Sequence, residues 1–190
     1  MYNYSLHCVH CFATLCFPLG MRLGVLYTQN SPLLQAMNNL VMPFMASTLA
    51  QQFVASMLSD ESFTTSFLQN SRAKLLTSYR KLKAGLEELG VVVIPADAAI
   101  FCVIDLGFLF ESIDGEGTWQ DERELQSRLV QAGIVLTPGK TFNAPIPGYF
   151  RVCYAFVQDQ GINEFISRLQ TFITASKSKQ RLSISPPTSN

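Results

Sequence analysis

The feature that most constrains the fold is a change of hydrophobic period at Gly90. Before it, Phe63, Phe67, Leu75, Tyr79, Leu82, Leu86 and Leu89 recur at three- and four-residue steps or multiples of them, the spacing of one helix face. Asp60 stands where a side-chain oxygen caps such a helix, and Gly90 where left-handed backbone ends one. After it, VVVIPAD and AIFCVIDL are β-branched and aromatic runs separated by residues 95–98. Two neighbouring strands are predicted there.

The flanking segments extend this pattern. RLGVLYT (Arg22 to Thr28) is an apolar run between Gly20 and the Asn30-Ser31-Pro32 break, which predicts an interior strand. Ser31 to Ser59 is helical in composition but carries Pro43, so two pieces are predicted, the first ending near Val41 to Met42. Beyond the strand pair, Asp121 to Gly133 predicts a helix packing through Leu125, Leu129 and Val130. IVLTPG and YFRVCYA predict two short strands around a Gly/Pro-rich loop. Ile162 to Ile173 predicts a closing helix with Phe165, Ile166, Leu169 and Ile173 on one side. The tail from Ser176 is polar and proline-containing and is expected to be disordered. Strands and helices in this order predict an α/β or α+β sandwich, a sheet with helices packed on it.

Length and charge exclude several classes of function. With 190 residues and 48% hydrophobic content the chain is long enough for one substantial core. Fourteen basic residues balance fourteen acidic ones, so no net field attracts nucleic acid or an anionic membrane surface. The uncharged stretch from Leu33 to Leu58 carries eight Ser, Thr, Asn or Gln residues besides Pro43 and reads as packed helix, not a membrane span. The N-terminus lacks the basic n-region of a signal peptide. Five cysteines are an odd number, and Cys102 and Cys153 lie in apolar strand-like runs. Reduced thiols in the cytoplasm are expected.

Few residues are candidates for chemistry. Arg22 is the only formal charge in the first 59 residues, histidines aside, and enters an apolar strand. Such a guanidinium lies at the surface, pairs with a distant carboxylate, or meets a ligand's negative charge. Arg151 lies in YFRVCYA, where alternation puts Phe150, Val152 and Tyr154 on one face and Tyr149, Arg151 and Cys153 on the other. It is either a cation on a solvated sheet face or a planar fork for a ligand carboxylate. PGKTF (Pro138 to Phe142) just upstream is a plain turn or a pocket wall in which Gly139 allows close backbone approach. His7, Cys8, His10, Cys11 and Cys16 include one CxxC but no second ligand pair at structural-zinc spacing, so no metal site is assigned. Both histidines lie in this leader, so no Ser-His-Asp or Cys-His set is assembled, and there is no Gly-rich phosphate loop.

Taken together, PLGMRLGVLYT, the Asp60 to Gly90 helix, AAIFCVIDL, VLTPGKTF and PGYFRVCYA resemble, in order and spacing, the C-terminal half of class I/II aminotransferases. The resemblance runs from about Pro18 to Phe172 and is strongest to the 1-aminocyclopropane-1-carboxylate synthase-like branch. It implies a fold-type I pyridoxal-phosphate transferase fold, with an atypical leader at 1–17 and a remnant of the large cofactor-binding domain at 18–60. A C-terminal small domain at 61–175 and a disordered tail at 176–190 follow. It also implies that Arg22 binds the phosphate of pyridoxal 5'-phosphate and that Arg151 grips the α-carboxylate of an α-amino acid substrate. Relatives are homodimers with shared active sites. In the family a lysine shortly before the phosphate-binding arginine forms the Schiff base. Thr14 falls at its place, and no lysine precedes Lys74, so no catalytic residue is assigned. Two readings follow: a truncated pyridoxal-phosphate enzyme of transaminase or lyase type that does not itself catalyse, or a non-catalytic interaction partner of a full-length homologue.

Overall fold

The computed structural model describes residues 8–11, 23–110, 117–155 and 159–184. The chain divides into two compact units, residues 1–73 and 74–190. The division falls inside a helix, later than the expected break after residue 60.

In the first unit, β1 (Cys8–Cys11) pairs antiparallel with β2 (Gly24–Tyr27). A two-stranded sheet makes every strand an edge. Among the described residues β2 pairs only with β1, and Val25 and Tyr27 are 48% and 63% exposed, where the apolar sequence predicts an interior strand. Two helices follow, α1 (Ser31–Phe44) and α2 (Thr48–Ser59). Each begins where a short polar side chain accepts a hydrogen bond from an otherwise free N–H: Asn30 from Leu33 at 3.1 Å, and Ser47 from Ala50 at 3.2 Å. The break predicted at Pro43 is present, but α1 runs one residue past the proline, which occupies its last turn. Among the described side chains of this unit, which exclude those of residues 8–11, 24, 26 and 41–44, Val54 is the only buried apolar one.

The helix α3 (Glu61–Glu88) starts as predicted, with Asp60 accepting from the Phe63 N–H at 2.9 Å. It ends at Gly90, whose φ is +75°. There the Gly90 N–H reaches the Glu87 carbonyl at 3.0 Å and the Val91 N–H reaches the Leu86 carbonyl at 3.0 Å. This paired closure satisfies two orphan carbonyls and drives the chain straight into the core at Val91.

The second unit is a four-stranded antiparallel sheet in the order β3-β4-β6-β5, built from β3 (Val92–Ile94), β4 (Phe101–Asp105), β5 (Thr137–Pro138) and β6 (Tyr149–Cys153). Strand alternation assigns Val93, Cys102, Ile104, Phe150 and Val152 to the inner face. These residues share one apolar cluster with Leu82 and Leu86 of α3, with Leu125 and Leu129 of α4 (Trp119–Gln131), and with Ile162, Leu169 and Ile173 of α5 (Asp159–Ile184). One sheet face is thereby covered by helices, as the alternating pattern requires.

Helix α4 begins two residues before the predicted start. Thr118 accepts from the Asp121 N–H at 3.2 Å while Asp121 accepts from the Thr118 N–H at 2.7 Å, a reciprocal capping box. Val130, predicted to pack, is 50% exposed, because Leu125 and Leu129 define the buried stripe and Val130 lies one step off it. The tail expected to be disordered from Ser176 is helical as far as Ile184, and Ser176 is buried. No helix of the described residues is long and apolar enough to cross a membrane.

Candidate functional site

Arg151 lies at the centre of β6, opposite Val103 of β4 and Thr137 of β5. Alternation sets it on the sheet face opposite the helices, with Phe101 and Val103 beside it and Phe150 and Val152 turned into the core. Its guanidinium carbon is 4.5 Å from the centroid of the Phe101 ring and 5.9 Å from that of Phe142. Two aromatic faces therefore hold the cation by quadrupole attraction, worth about 0.5–2 kcal/mol each according to desolvation.

The rings do not satisfy its hydrogen-bonding capacity. The Arg151 Nε is buried and has no hydrogen-bond partner among the described residues. A buried donor without an acceptor costs about 1–3 kcal/mol. The acid on the same face of β4, Asp105, is engaged elsewhere: its Oδ1 accepts from the Gly107 N–H at 2.8 Å. What remains is a planar cation held between apolar rings with an unanswered N–H, which a planar carboxylate satisfies with paired bonds. The solvated-face alternative does not account for that buried, unanswered nitrogen.

The wall of this site is the segment read as turn or pocket wall. Gly139 to Phe142 form a 3-10 turn, closed by Asn143 in left-handed backbone at φ 55°. Gly139 is buried, and a Cβ there would lie 2.9 Å from the Tyr149 carbonyl oxygen and 3.0 Å from Glu122 Oε2. Only glycine lets the turn sit that close. Glu122 itself is 1% exposed and accepts from the Lys140 and Gly148 N–H groups, each at 3.0 Å. The sequence reading missed it, along with the ring contacts of Phe101 and Phe142. A signal was present for Glu122: it shares the three- and four-residue spacing of Leu125 and Leu129, which puts an acid on the apolar face of α4.

At the other end of the sheet, the turn between β3 and β4 is pinned by two phenols. The Tyr79 hydroxyl accepts from the Ala96 N–H at 3.2 Å, and the Tyr154 hydroxyl donates to the Ala99 carbonyl at 2.9 Å. Ala99 carries φ +73°, strained for a residue with a Cβ. Burial pushes the Tyr154 phenol above its ordinary pKa.

Arg22 and Thr14 lie outside the described residues, as do the side chains of the leader cysteines and histidines. Among the described residues no group of three or more His, Cys, Asp or Glu is placed to hold a metal. The first lysine of this sequence is Lys74 in α3.

Comparison with known proteins gives this arrangement a family. Residues 6–169 match the model of aminotransferase class I and II. The chain is 31% identical over 155 residues to 1-aminocyclopropane-1-carboxylate synthase 11 of Arabidopsis thaliana, covering 81% of this chain and 33% of that protein. It is 32% identical over 160 residues to 1-aminocyclopropane-1-carboxylate synthase 4 of Solanum lycopersicum, covering 84% and 33%. It spans about a third of the length of the curated relatives it matches. In fold it is similar to the aromatic aminotransferase from Pyrococcus horikoshii OT3, with a TM-score of 0.75 at 19% identity over 90% of this chain and 43% of that one. It is also similar to the aspartate aminotransferase from Thermus thermophilus with maleate, with a TM-score of 0.68 at 21% identity over 80% and 37%. A sheet with helices on one face and a strand arginine on the other is thus the portion of the fold that this sequence encodes, and the chain belongs to the aminotransferase class I and II family.

Proposed function

We propose that this chain recognises the α-carboxylate of an amino acid through Arg151 and that, by itself, it does not catalyse transamination or elimination. The observation that carries the first half is the buried Arg151 Nε, beside Phe101 and Phe142 and without a partner among the described residues. It is supported by the named activities of the relatives, which concern amino acids, and by a fold neighbour described with maleate, a dicarboxylate. The second half rests on Thr14 standing at the family's lysine position. Bound to an intact relative, pyridoxal phosphate supplies an electron sink for a substrate carbanion. With threonine there, the chain lacks the amine at the position where the family anchors that group covalently.

The test is a titration of nitrogen-15-labelled chain with L-norvaline, an α-amino acid without side-chain functional groups, against butylamine, which lacks the carboxylate. Norvaline shifts the Arg151 Nε–H resonance to saturation, butylamine leaves it in place, and Arg151→Lys loses norvaline binding by roughly tenfold or more. Equal binding by Arg151→Lys sinks the carboxylate assignment. In the same samples, pyridoxal phosphate followed by borohydride gives no stoichiometric adduct at any one lysine; a single specific adduct would return the chain to the catalytic class.

A second reading is favoured by a different observation. Helices α1 and α2 carry no charge and expose Leu34, Leu40, Leu49 and Phe53 at 42%, 48%, 82% and 43%, exposed apolar side chains of the kind that another chain covers. A non-catalytic subunit pairing with a longer homologue accounts for it. Co-purification with such a homologue, lost on Leu49→Lys, is its test.

A further inference from the structure

We propose that Glu122 is the positioning residue of the carboxylate site, holding Phe142 against Arg151 without touching either the ligand or the guanidinium. The inference rests on the reading that Arg151 binds a carboxylate. It deepens that reading by naming what fixes the aromatic wall.

Glu122 lies in the first turn of α4, and its carboxylate is enclosed. Both oxygens are used by backbone N–H groups: Oε1 by Lys140 and Oε2 by Gly148, each at 3.0 Å. These two amides bracket the segment between β5 and β6. Phe142 lies inside the bracket, and Gly148 immediately precedes β6, which carries Arg151 three residues on. One buried anion thus ties the wall of the site to the strand that bears its cation. The seat is shaped for it. Gly139 leaves no room for a Cβ beside Oε2. Gly148 has φ +102°, would bring a Cβ to 2.9 Å from Gly107 Cα, and accepts from the Leu106 N–H at 2.9 Å.

The chemistry selects a carboxylate over its isosteres. Two converging N–H donors need two acceptors, and a carboxylate has only acceptors. Gln supplies one acceptor and turns an NH2 donor toward the second N–H, leaving that amide buried and unsatisfied. A buried anion is costly to remove from water, and these charge-assisted bonds to two fixed amides are what offset that cost.

The experiment compares Glu122→Gln, Gly139→Ala and Thr118→Ala in the full chain. Thr118→Ala removes the cap of the same helix and serves as the control for general weakening of α4. In Glu122→Gln the amides of Lys140 and Gly148 exchange with deuterium about tenfold faster, while those of Ile104 and Leu129 keep their rates. The Arg151 Nε–H resonance moves as the Phe142 ring current is lost, and norvaline affinity falls by about tenfold. Gly139→Ala, which lifts the turn off the same carboxylate, moves the Arg151 resonance in the same sense. It decides the matter should Glu122→Gln fail to fold. The proposal is overturned if the folded variants leave that resonance at its wild-type position, or if Thr118→Ala shifts it as far. Should the wild-type chain not bind norvaline at all, the carboxylate reading fails alone. The resonance and the two amide exchange rates then still decide whether Glu122 sets the position of Phe142.

Discussion

Cys102 and Cys153 lie on adjacent strands, opposite Val152 and Phe101 respectively, and their side chains leave opposite faces of the sheet. Cys102 is 2% exposed in the core, and burial pushes its thiol from 9.0 up to about 11, its own backbone contact pulling the other way and Cys153 adding a little. The folded state therefore favours the thiol. Its contribution is complete below the unfolded pKa near 9 and declines as pH rises from there toward 11, by roughly 2–3 kcal/mol in all. Urea midpoints of the wild type should fall steeply over that interval. Cys102→Ala should start lower, having lost a buried sulfur, and fall less steeply; the Tyr154 phenol, raised first by burial and next by Cys102, is raised less in the variant, which acts in the same direction. Parallel curves would refute the assignment. The contrast between Arg151 and Glu122 shows what single residues disclose from sequence. Strand alternation is a two-state choice, so the face of Arg151 is legible once YFRVCYA is read as a strand. An acid is expected in water, so Glu122 hid in a pattern that in fact included it; its partners are backbone amides, which no side-chain code announces. Arg22 is untouched by this comparison, since it lies outside the described residues.

At the level of elements, helix ends were more legible than turns. Gly90 and Gly133 close α3 and α4 in the same way, each with left-handed backbone and the following N–H bonded back into the helix: Val91 to Leu86 at 3.0 Å and Ile134 to Leu129 at 2.8 Å. A glycine after an amphipathic run states that geometry directly. The β3–β4 turn does not declare itself, because its left-handed residue is Ala99, held there by the hydroxyl of Tyr154, 55 residues away. Long-range pinning of this kind leaves no local trace. The two positions give a paired prediction of opposite sign. Ala99→Gly relieves the Cβ strain and raises stability by about 1 kcal/mol. Gly90→Ala, where a Cβ meets no atom within 4 Å and only the backbone conformation is at issue, lowers it by about 1 kcal/mol. Urea unfolding of both variants measures the difference, and shifts of the same sign would show that the local backbone is not what fixes either position. Strand β2 differs for a related reason: an apolar run states that a strand forms, but its burial depends on what lies beside it, and among the described residues that is a single partner strand.

Over the whole molecule, stability is concentrated in one of the two units. Residues 74–190 contain the cluster of eighteen buried side chains that runs from Leu82 to Ile173, whereas among the described side chains of residues 1–73 a single apolar one, Val54, is buried. Burial contributes about 25 cal/mol per Å² of apolar surface removed from water, so the first unit has little to offset the conformational entropy of ordering α1 and α2. Capping at Asn30 and Ser47 adds about 1 kcal/mol to each helix, which does not make up for so little burial among the described side chains. Local opening of residues 31–59 should therefore cost far less than global unfolding. In hydrogen exchange read by mass spectrometry, peptides from this stretch should exchange at least about a hundredfold faster than those covering β4, β6 and the buried turns of α4. Uniform protection across both units would mean that the exposed apolar residues of α1 and α2 are covered in solution. Concentration dependence then decides what covers them: protection that fades on dilution assigns them to another copy of the chain, and protection that persists assigns them to the chain's own fold.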